Sequence, residues 1–333
     1  MPENTESTPV PEKHEPRRRT PLLLASLYLL SLAAAAVLIT RGAKNRAASG
    51  GPLSELSPQD SVGWLDIRGP IYTSDGSAPW SQGGVGQWTR KLKDLAATPG
   101  VRAIVLDINS PGGSVGAVQE LYSQIERVKR KDHLPVVALF DDVAASGGYY
   151  IATACDRIVA HPGTLTGSIG VIFPISNLQG LFKKIGYQMT PVKSGKFKDI
   201  GSPARPLTPA EKKLLQNLVS DAYGQFLAAV SSGRHIPLAQ LKPLADGRIF
   251  SGDQALKDHL VDELGDSTDA LELAAKLGGI RGTPRVQRAG DHFSDILNLL
   301  QSRFEGPGPL ASLSSELAPP RMGLEYLWPG WQP

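Results

Sequence analysis

The sequence predicts an α/β domain, a largely parallel β-sheet flanked by helices, preceded by one N-terminal transmembrane helix. Three observations carry this. Two apolar runs, Val101-Arg102-Ala103-Ile104-Val105-Leu106-Asp107-Ile108 and Pro135-Val136-Val137-Ala138-Leu139-Phe140, are nearly continuous, as strands are when both faces are covered. Segments with helical spacing alternate with them, the pattern of strand-helix units in a parallel sheet. An uncharged run, residues 22–39, stands near the N-terminus.

Residues 1–20 are rich in Pro, Glu and Arg with little apolar content, and read as a disordered cytoplasmic tail. Residues 21–40 read as a transmembrane signal anchor, because about 20 apolar positions give roughly 30 Å of helix, the thickness of a bilayer core. A cleaved signal peptide competes, since Ala33 to Ala36 offers small residues for cleavage. The apolar run continues through Val37, Leu38 and Ile39, longer than a typical signal-peptide core. Lys13, Arg17, Arg18 and Arg19 precede the span, against Arg41, Lys44 and Arg46 after it. That bias puts the short tail in the cytoplasm and the large domain outside the cell membrane.

Residues 41–60 form a polar linker, and the folded domain is expected over 61–283. Its first strand is Val62–Ile67, followed by a helix around Trp88–Leu95. The strand at 101–108 ends in Asn109-Ser110-Pro111-Gly112-Gly113-Ser114, and a helix runs on through Val118, Leu121, Tyr122, Ile125 and Val128. After the strand at 135–140, further strands are expected at Ile158–Ala160, Gly167–Ile172 and Gln188–Lys193, with a helix over Asn177–Ile185. Thr208-Pro209-Ala210-Glu211 is a helix start, with Thr at the cap, Pro first inside and Glu at the third position. That helix should reach about Val230. From 284 to 333 the pattern dissolves into a partly disordered extension. It holds a candidate helix at 293–300 and a Pro/Gly-rich tail with Trp328 and Trp331, free to dock on a partner subunit, on the membrane surface or nowhere.

Composition removes several function classes. The chain of 333 residues is 41% hydrophobic and 20% charged, ordinary for a protein with a real core. A net charge of +3 is too small to argue for nucleic acid. The single cysteine, Cys155, allows no intramolecular disulfide and no cysteine-rich metal site, and its apolar flank reads as a buried, inert thiol. The six histidines show no short ligand spacing, so neither a metal nor a cofactor is expected.

The chemistry lies around Ser146, in Asp142-Val143-Ala144-Ala145-Ser146-Gly147-Gly148-Tyr149-Tyr150. Alone, Ser-Gly-Gly is a loop before a helix. A strand ending in such a turn can also present a hydroxyl at the mouth of a sheet, beside free backbone N–H groups. A serine needs a base, and Lys198, in Ser194-Gly195-Lys196-Phe197-Lys198-Asp199, offers one without histidine. A free lysine, with a pKa of about 10.4, is almost never neutral at pH 7, so this base requires a water-poor site and neutral partners. Ser168, in Thr166-Gly167-Ser168-Ile169-Gly170, is the candidate partner that orients the amine without adding charge. Asp199 would oppose neutrality and is expected to turn away, toward Arg205. The Pro111-Gly112-Gly113 turn suits an oxyanion site, with the Gly113 N–H and the Gly147 N–H as the expected donors. His133 and His161 have no acid in an orienting arrangement and read as turn or surface residues.

Five ordered segments carry a resemblance: Asp107-Ile108-Asn109-Ser110-Pro111-Gly112-Gly113, Ala144-Ala145-Ser146-Gly147-Gly148-Tyr149-Tyr150, Thr166-Gly167-Ser168-Ile169-Gly170-Val171, Lys198-Asp199-Ile200-Gly201-Ser202-Pro203, and Gly247-Arg248 leading to Gly252 and Leu260-Val261-Asp262. Over roughly residues 60–280 the chain resembles the short, single-domain form of the signal peptide peptidase A family. The resemblance implies a fold similar to that of the caseinolytic protease and crotonase families. It places the family's nucleophile on Ser146, its lysine on Lys198 and its lysine-holding serine on Ser168. It also implies a ring-like homo-oligomer in which the lysine of one subunit serves the serine of the next, with apolar pockets that take signal-peptide remnants. The expectation is a membrane-anchored serine endopeptidase needing no cofactor. A protease that trims membrane proteins, a crotonase-like acyl-CoA enzyme and a catalytically silent scaffold are the rival expectations.

Overall fold

The computed structural model describes residues 59–73, 84–289 and 323–330. The expected signal anchor at 21–40, the tail before it, most of the linker and the candidate helix at 293–300 lie outside the described residues. Among the described residues, no helix is long and apolar enough to cross a membrane.

In chain order the elements are β1 (Ser61–Arg68), α1 (Val85–Ala97), β2 (Val101–Ser110), β3 (Gly112–Ser114), α2 (Val115–Arg127), β4 (Val136–Ala145), α3 (Gly147–Ala152), β5 (Arg157–Ala160) and β6 (Leu165–Gly167). They continue as α4 (Gln179–Lys184), α5 (Pro209–Arg234), β7 (Ile249–Ser251), α6 (Gly252–Lys257), β8 (Glu263–Leu264), α7 (Ser267–Leu277), β9 (Arg285–Arg288) and β10 (Glu325–Leu327). The main sheet is ordered β7-β6-β4-β2-β1-β9, with β5 on β4 and β8 on β5. Its pairings are parallel except β6 with β7. The mixed α/β class with a mostly parallel sheet is therefore as the sequence implied.

Both faces of the central strands are covered, which explains their unbroken apolar runs. Ile104, Leu106 and Ile108 of β2 join Val136, Ala138 and Phe140 of β4 in one core, with α1, α2, α3 and α5. Ala103 and Val105, with Val137 and Leu139, turn to the other face and pack with Ala270, Ala274 and Ala275 of α7. The buried stripe of α1, Val85, Trp88, Leu92 and Leu95, has the three-to-four-residue spacing of one helix face. Helix α5 begins where the sequence placed it: Thr208 caps the Glu211 N–H, and the Glu211 carboxylate accepts from the Thr208 N–H.

Two features of β4 position the site. The strand forks, its first half pairing β5 and its last residues, Val143–Ala145, pairing β6. Its register against β2 also shifts, from Ile108↔Phe140 to Ser110↔Ala144. Extra β4 residues are absorbed there, as at a bulge, and the strand end turns toward the Gly112–Ser114 strand.

Some expected elements differ. The strand expected over Gly167–Ile172 stops at Gly167, with a single further bridge at Ile172. Gln188–Lys193 is not a strand: its residues are exposed, Val192 completely. Its apolar alternation belongs to a surface and not to a sheet. Conversely, β9 lies where no periodicity was legible. It is a four-residue edge strand with every residue exposed, held to β1 by backbone pairing, so burial left no trace in its sequence.

Candidate active site

Ser146 sits between the end of β4 and the start of α3, with φ 53° and ψ −114°. A non-glycine residue at positive φ is uncommon and strained, and such strain concentrates at functional turns. Two backbone bonds hold it: the Ser146 N–H donates to the Gly167 carbonyl at 2.8 Å, and its carbonyl accepts from the Tyr150 N–H at 2.8 Å. The following helix is anchored from below, because the Tyr149 hydroxyl donates to the Leu260 carbonyl at 2.9 Å in full burial. Ser146 itself is 1% exposed.

Ser168 follows the residue that accepts from Ser146. It too has positive φ, 48°, and its N–H donates to the Arg248 carbonyl at 2.8 Å. This places Gly247-Arg248 behind the site, a role its spacing in the sequence did not reveal. Ser146 and Ser168 are thus brought to neighbouring strand ends, both buried.

The expected oxyanion residues converge from two other elements. Gly113 lies in β3, and Gly147 opens α3. Gly112, at φ +96°, makes the turn from β2 into β3 possible, and a methyl group there would lie 2.5 Å from the Gly147 nitrogen. The Ser110 hydroxyl accepts from the Gly112 N–H at 3.2 Å and fixes that turn. A methyl on Gly147 would meet Val118 at 2.6 Å, so the close packing of α2 on α3 requires glycine there.

Lys198 stands apart. It is exposed in the single chain, in a turn where its N–H donates to the Gly195 carbonyl. Among the described residues, no hydrogen bond joins it to Ser146 or Ser168. Asp199, its neighbour, does turn away: Arg205 donates to it at 3.0 Å, and Lys193 lies 2.5 Å from it. Hydrogen bonds from Arg205 and then Lys193 hold the Asp199 carboxyl well below the usual carboxylate range. Arg205 also grips Glu211 with two bonds of 2.6 and 2.8 Å, so the lysine-bearing turn is clamped to the start of α5. The Glu211 carboxyl is held near 2 by Arg205 and by the Thr208 backbone.

Residues that sequence reasoning missed line the same place. Tyr150, Phe226 and Tyr326 form an aromatic cluster with ring centroids 4.9–5.1 Å apart. Tyr150 was visible within the Gly-Gly-Tyr-Tyr segment. Phe226 lies mid-helix and Tyr326 almost at the chain end, and nothing local distinguishes either from core or tail.

Arranged in this way, the strained serine, the glycine N–H groups and the adjoining hydroxyl suit attack on a carbonyl and stabilisation of the oxyanion formed. Comparison with known proteins agrees. The model of peptidase family S49 matches residues 128–281. A Methanocaldococcus jannaschii chain named as a candidate protease is 34% identical over 270 residues, covering 80% of this chain and 84% of that one. One from Synechocystis sp., named likewise, is 45% identical over 202 residues, covering 60% of this chain and 72% of its own length. The chloroplastic serine protease SPPA of Arabidopsis thaliana is 33% identical over 246 residues, 72% of this chain and 35% of that longer one. Likeness of this extent settles kinship: the chain belongs to peptidase family S49, the serine peptidases of the signal peptide peptidase A family.

Proposed function

We propose that this chain is a membrane-anchored serine endopeptidase that uses a Ser146–Lys198 dyad to degrade cleaved signal peptides and other extended peptides at the membrane. The fold we assign it is the caseinolytic protease/crotonase-like one. The observation that carries the reading is Ser146 itself, a buried nucleophile held at positive φ between a strand and a helix, beside Gly113 and Gly147. Ser146 Oγ attacks the peptide carbonyl while neutral Lys198 takes its proton. The oxyanion is held by the Gly113 and Gly147 N–H groups. Lys198 returns the proton to the leaving amine, and water then releases the acyl group from Ser146.

A neutral lysine needs burial, and in one chain Lys198 is exposed. The segment around it carries Leu181, Ile185, Tyr187, Met189, Val192 and Phe197, all exposed. Apolar side chains grouped in this way favour burial against another copy. That supports the ring-like homo-oligomer in which Lys198 of one copy approaches Ser146 and Ser168 of the next. Anchoring through residues 21–40 with the domain outside the cell membrane completes the reading, and neither cofactor nor nucleic acid enters it.

The test is peptide hydrolysis by wild type, Ser146→Ala and Lys198→Ala. Both variants lose activity, and mixed oligomers of the two recover part of it. Verified mixed oligomers that stay inactive would overturn the shared site. Retained activity in Ser146→Ala would overturn the serine mechanism.

A further inference from the structure

Strand β6 ends at Gly167, and the residue after it, Ser168, depends on a turn from elsewhere in the chain. Strands β6 and β7 pair antiparallel, with Gly167 opposite Ile249. The residue before Ile249 supplies the next bond, since the Ser168 N–H donates to the Arg248 carbonyl at 2.8 Å. Ser168 is held there at φ 48°, a strained conformation for a residue with a side chain. Among the described residues its hydroxyl makes no hydrogen bond, so the group is open to a partner.

The turn that carries this carbonyl, Asp246-Gly247-Arg248, is locked by its own side chains. Asp246 Oδ1 accepts from the Arg248 backbone N–H at 3.1 Å and from Nε at 2.8 Å, and Oδ2 accepts from the guanidinium at 2.6 Å. Gly247, between them, stands at φ +90°, and a methyl group there would meet nothing within 4 Å. The backbone conformation alone therefore calls for glycine. On one side the turn is tied to α5, because the Ala245 carbonyl accepts from the Tyr223 hydroxyl at 2.6 Å. On the other it lies against the Ser168 segment, where a methyl on Gly170 would sit 3.6 Å from the Gly247 Cα. Asp246 and Arg248 are each about half exposed, and an exposed ion pair contributes little to stability. Closing three bonds within one short turn has a different effect: it fixes the direction of one carbonyl.

We propose that Asp246 and Arg248 are positioning residues for the dyad: their clamp sets the Arg248 carbonyl, the carbonyl sets Ser168, and Ser168 presents its hydroxyl to the Lys198 amine. This rests on the Ser146–Lys198 reading and adds what holds the lysine's partner in place. Neither side chain touches the substrate in this scheme, so the clamp acts on the rate of the chemical step and not on peptide binding.

The test is a double-mutant cycle on peptide hydrolysis by the full-length chain. Asp246→Ala and Arg248→Ala each lower kcat on the order of tenfold, with KM little changed. Asp246→Asn keeps an oxygen for the Arg248 N–H and Nε, and loses much less. Added to Ser168→Ala, which already lacks the hydroxyl that the clamp aims, Asp246→Ala costs nothing further. Gly247→Ala, which adds no contact but resists φ +90°, shows the same dependence on Ser168. Fluorophosphonate labelling of Ser146 slows in the same order as kcat. An equal fall in kcat from Asp246→Ala with and without Ser168 would mean that the turn acts on something else, and would overturn the proposal. So would unchanged kcat in Asp246→Ala and Arg248→Ala, or a loss that only follows a lower melting temperature. Failure of the dyad reading looks different: Ser146→Ala or Lys198→Ala then keeps full activity, and the proposal falls with it.

Discussion

The N–H of Ser146 donates to the carbonyl of Gly167 at 2.8 Å, so the nucleophile candidate and Ser168 are locked together through one peptide unit. Both serines have positive φ, and the strand β6 supplies the fixed edge that holds them there. The bond exists because Gly167 adopts φ +79° beside the Phe250 ring.

Replacing Gly167 tests that lock. A methyl there would lie 2.5 Å from Phe250 Cδ2, on a backbone conformation that alanine resists. Gly167→Ala is expected to lower stability by about 1–3 kcal/mol, read by urea unfolding. Peptidase activity should fall by more than the unfolded fraction explains, because the Ser146 turn loses its anchor. Unaltered activity in a destabilised Gly167→Ala would mean that the turn holds its shape without this bond.

Gly113 makes a separate demand. A methyl on it would collide with the Ile71 carbonyl, which also accepts from the Ser114 N–H at 3.1 Å. Gly113→Ala must therefore shift β3, and with it the Gly113 N–H. The loss of one aligned oxyanion donor costs roughly 10²–10³ in kcat. Steady-state hydrolysis should show that fall mainly in kcat. A change confined to KM would assign Gly113 to substrate binding alone.

These residues show which parts of the molecule were legible in its sequence. The covered strands β2 and β4 announced themselves by unbroken apolar runs, and Thr208-Pro209-Ala210-Glu211 announced a helix by its own hydrogen-bond chemistry. Ser146 and Gly113 were legible because strand-to-glycine transitions are local events. The partnership of Arg248 with Ser168, and of Tyr326 with Tyr150 and Phe226, joins residues 80 to 176 positions apart, which no local pattern encodes. Edge strand β9 escaped because none of its residues is buried: backbone pairing with β1 holds it, helped by Arg288 on Asp66 and the Trp64 ring. The apolar residues around Lys198 misled in the opposite sense: alternation at 188–193 has the period of a strand, and its residues face solvent in the single chain.

A pH dependence follows from Asp107. Arg68 pairs with it at 2.6 Å and with Asp141 at 2.7 Å. Burial nevertheless outweighs Arg68 and raises the Asp107 carboxyl to about 6. A carboxyl raised above its unfolded value stabilises the fold most when protonated, and that contribution fades as pH rises from about 4 through 6. The stability of wild type relative to Asp107→Asn should therefore decline across that window, by on the order of 2 kcal/mol. Urea unfolding of both proteins at pH 4, 5, 6 and 7 measures it. A constant difference would show that Asp107 ionises without cost in the folded chain.

Cys155 offers a direct probe of the core. It is 5% exposed, and burial pushes its thiol well above the ordinary range, an effect larger than the opposing pull of Lys129. Lys129 is engaged nearby, donating to the Ala154 carbonyl at 2.6 Å and pairing with Asp156 at 3.3 Å. Because the thiolate is the reactive form, a buried and protonated thiol should ignore a disulfide reagent in the native state at pH 8. Reaction then requires opening of the core that α2, α3 and β5 build around it, and its rate should rise with urea in step with unfolding. One thiol per chain is expected to appear in that way. Prompt labelling of the native protein would mean that this side of the core opens independently of the rest, and that Cys155 reports local rather than global stability.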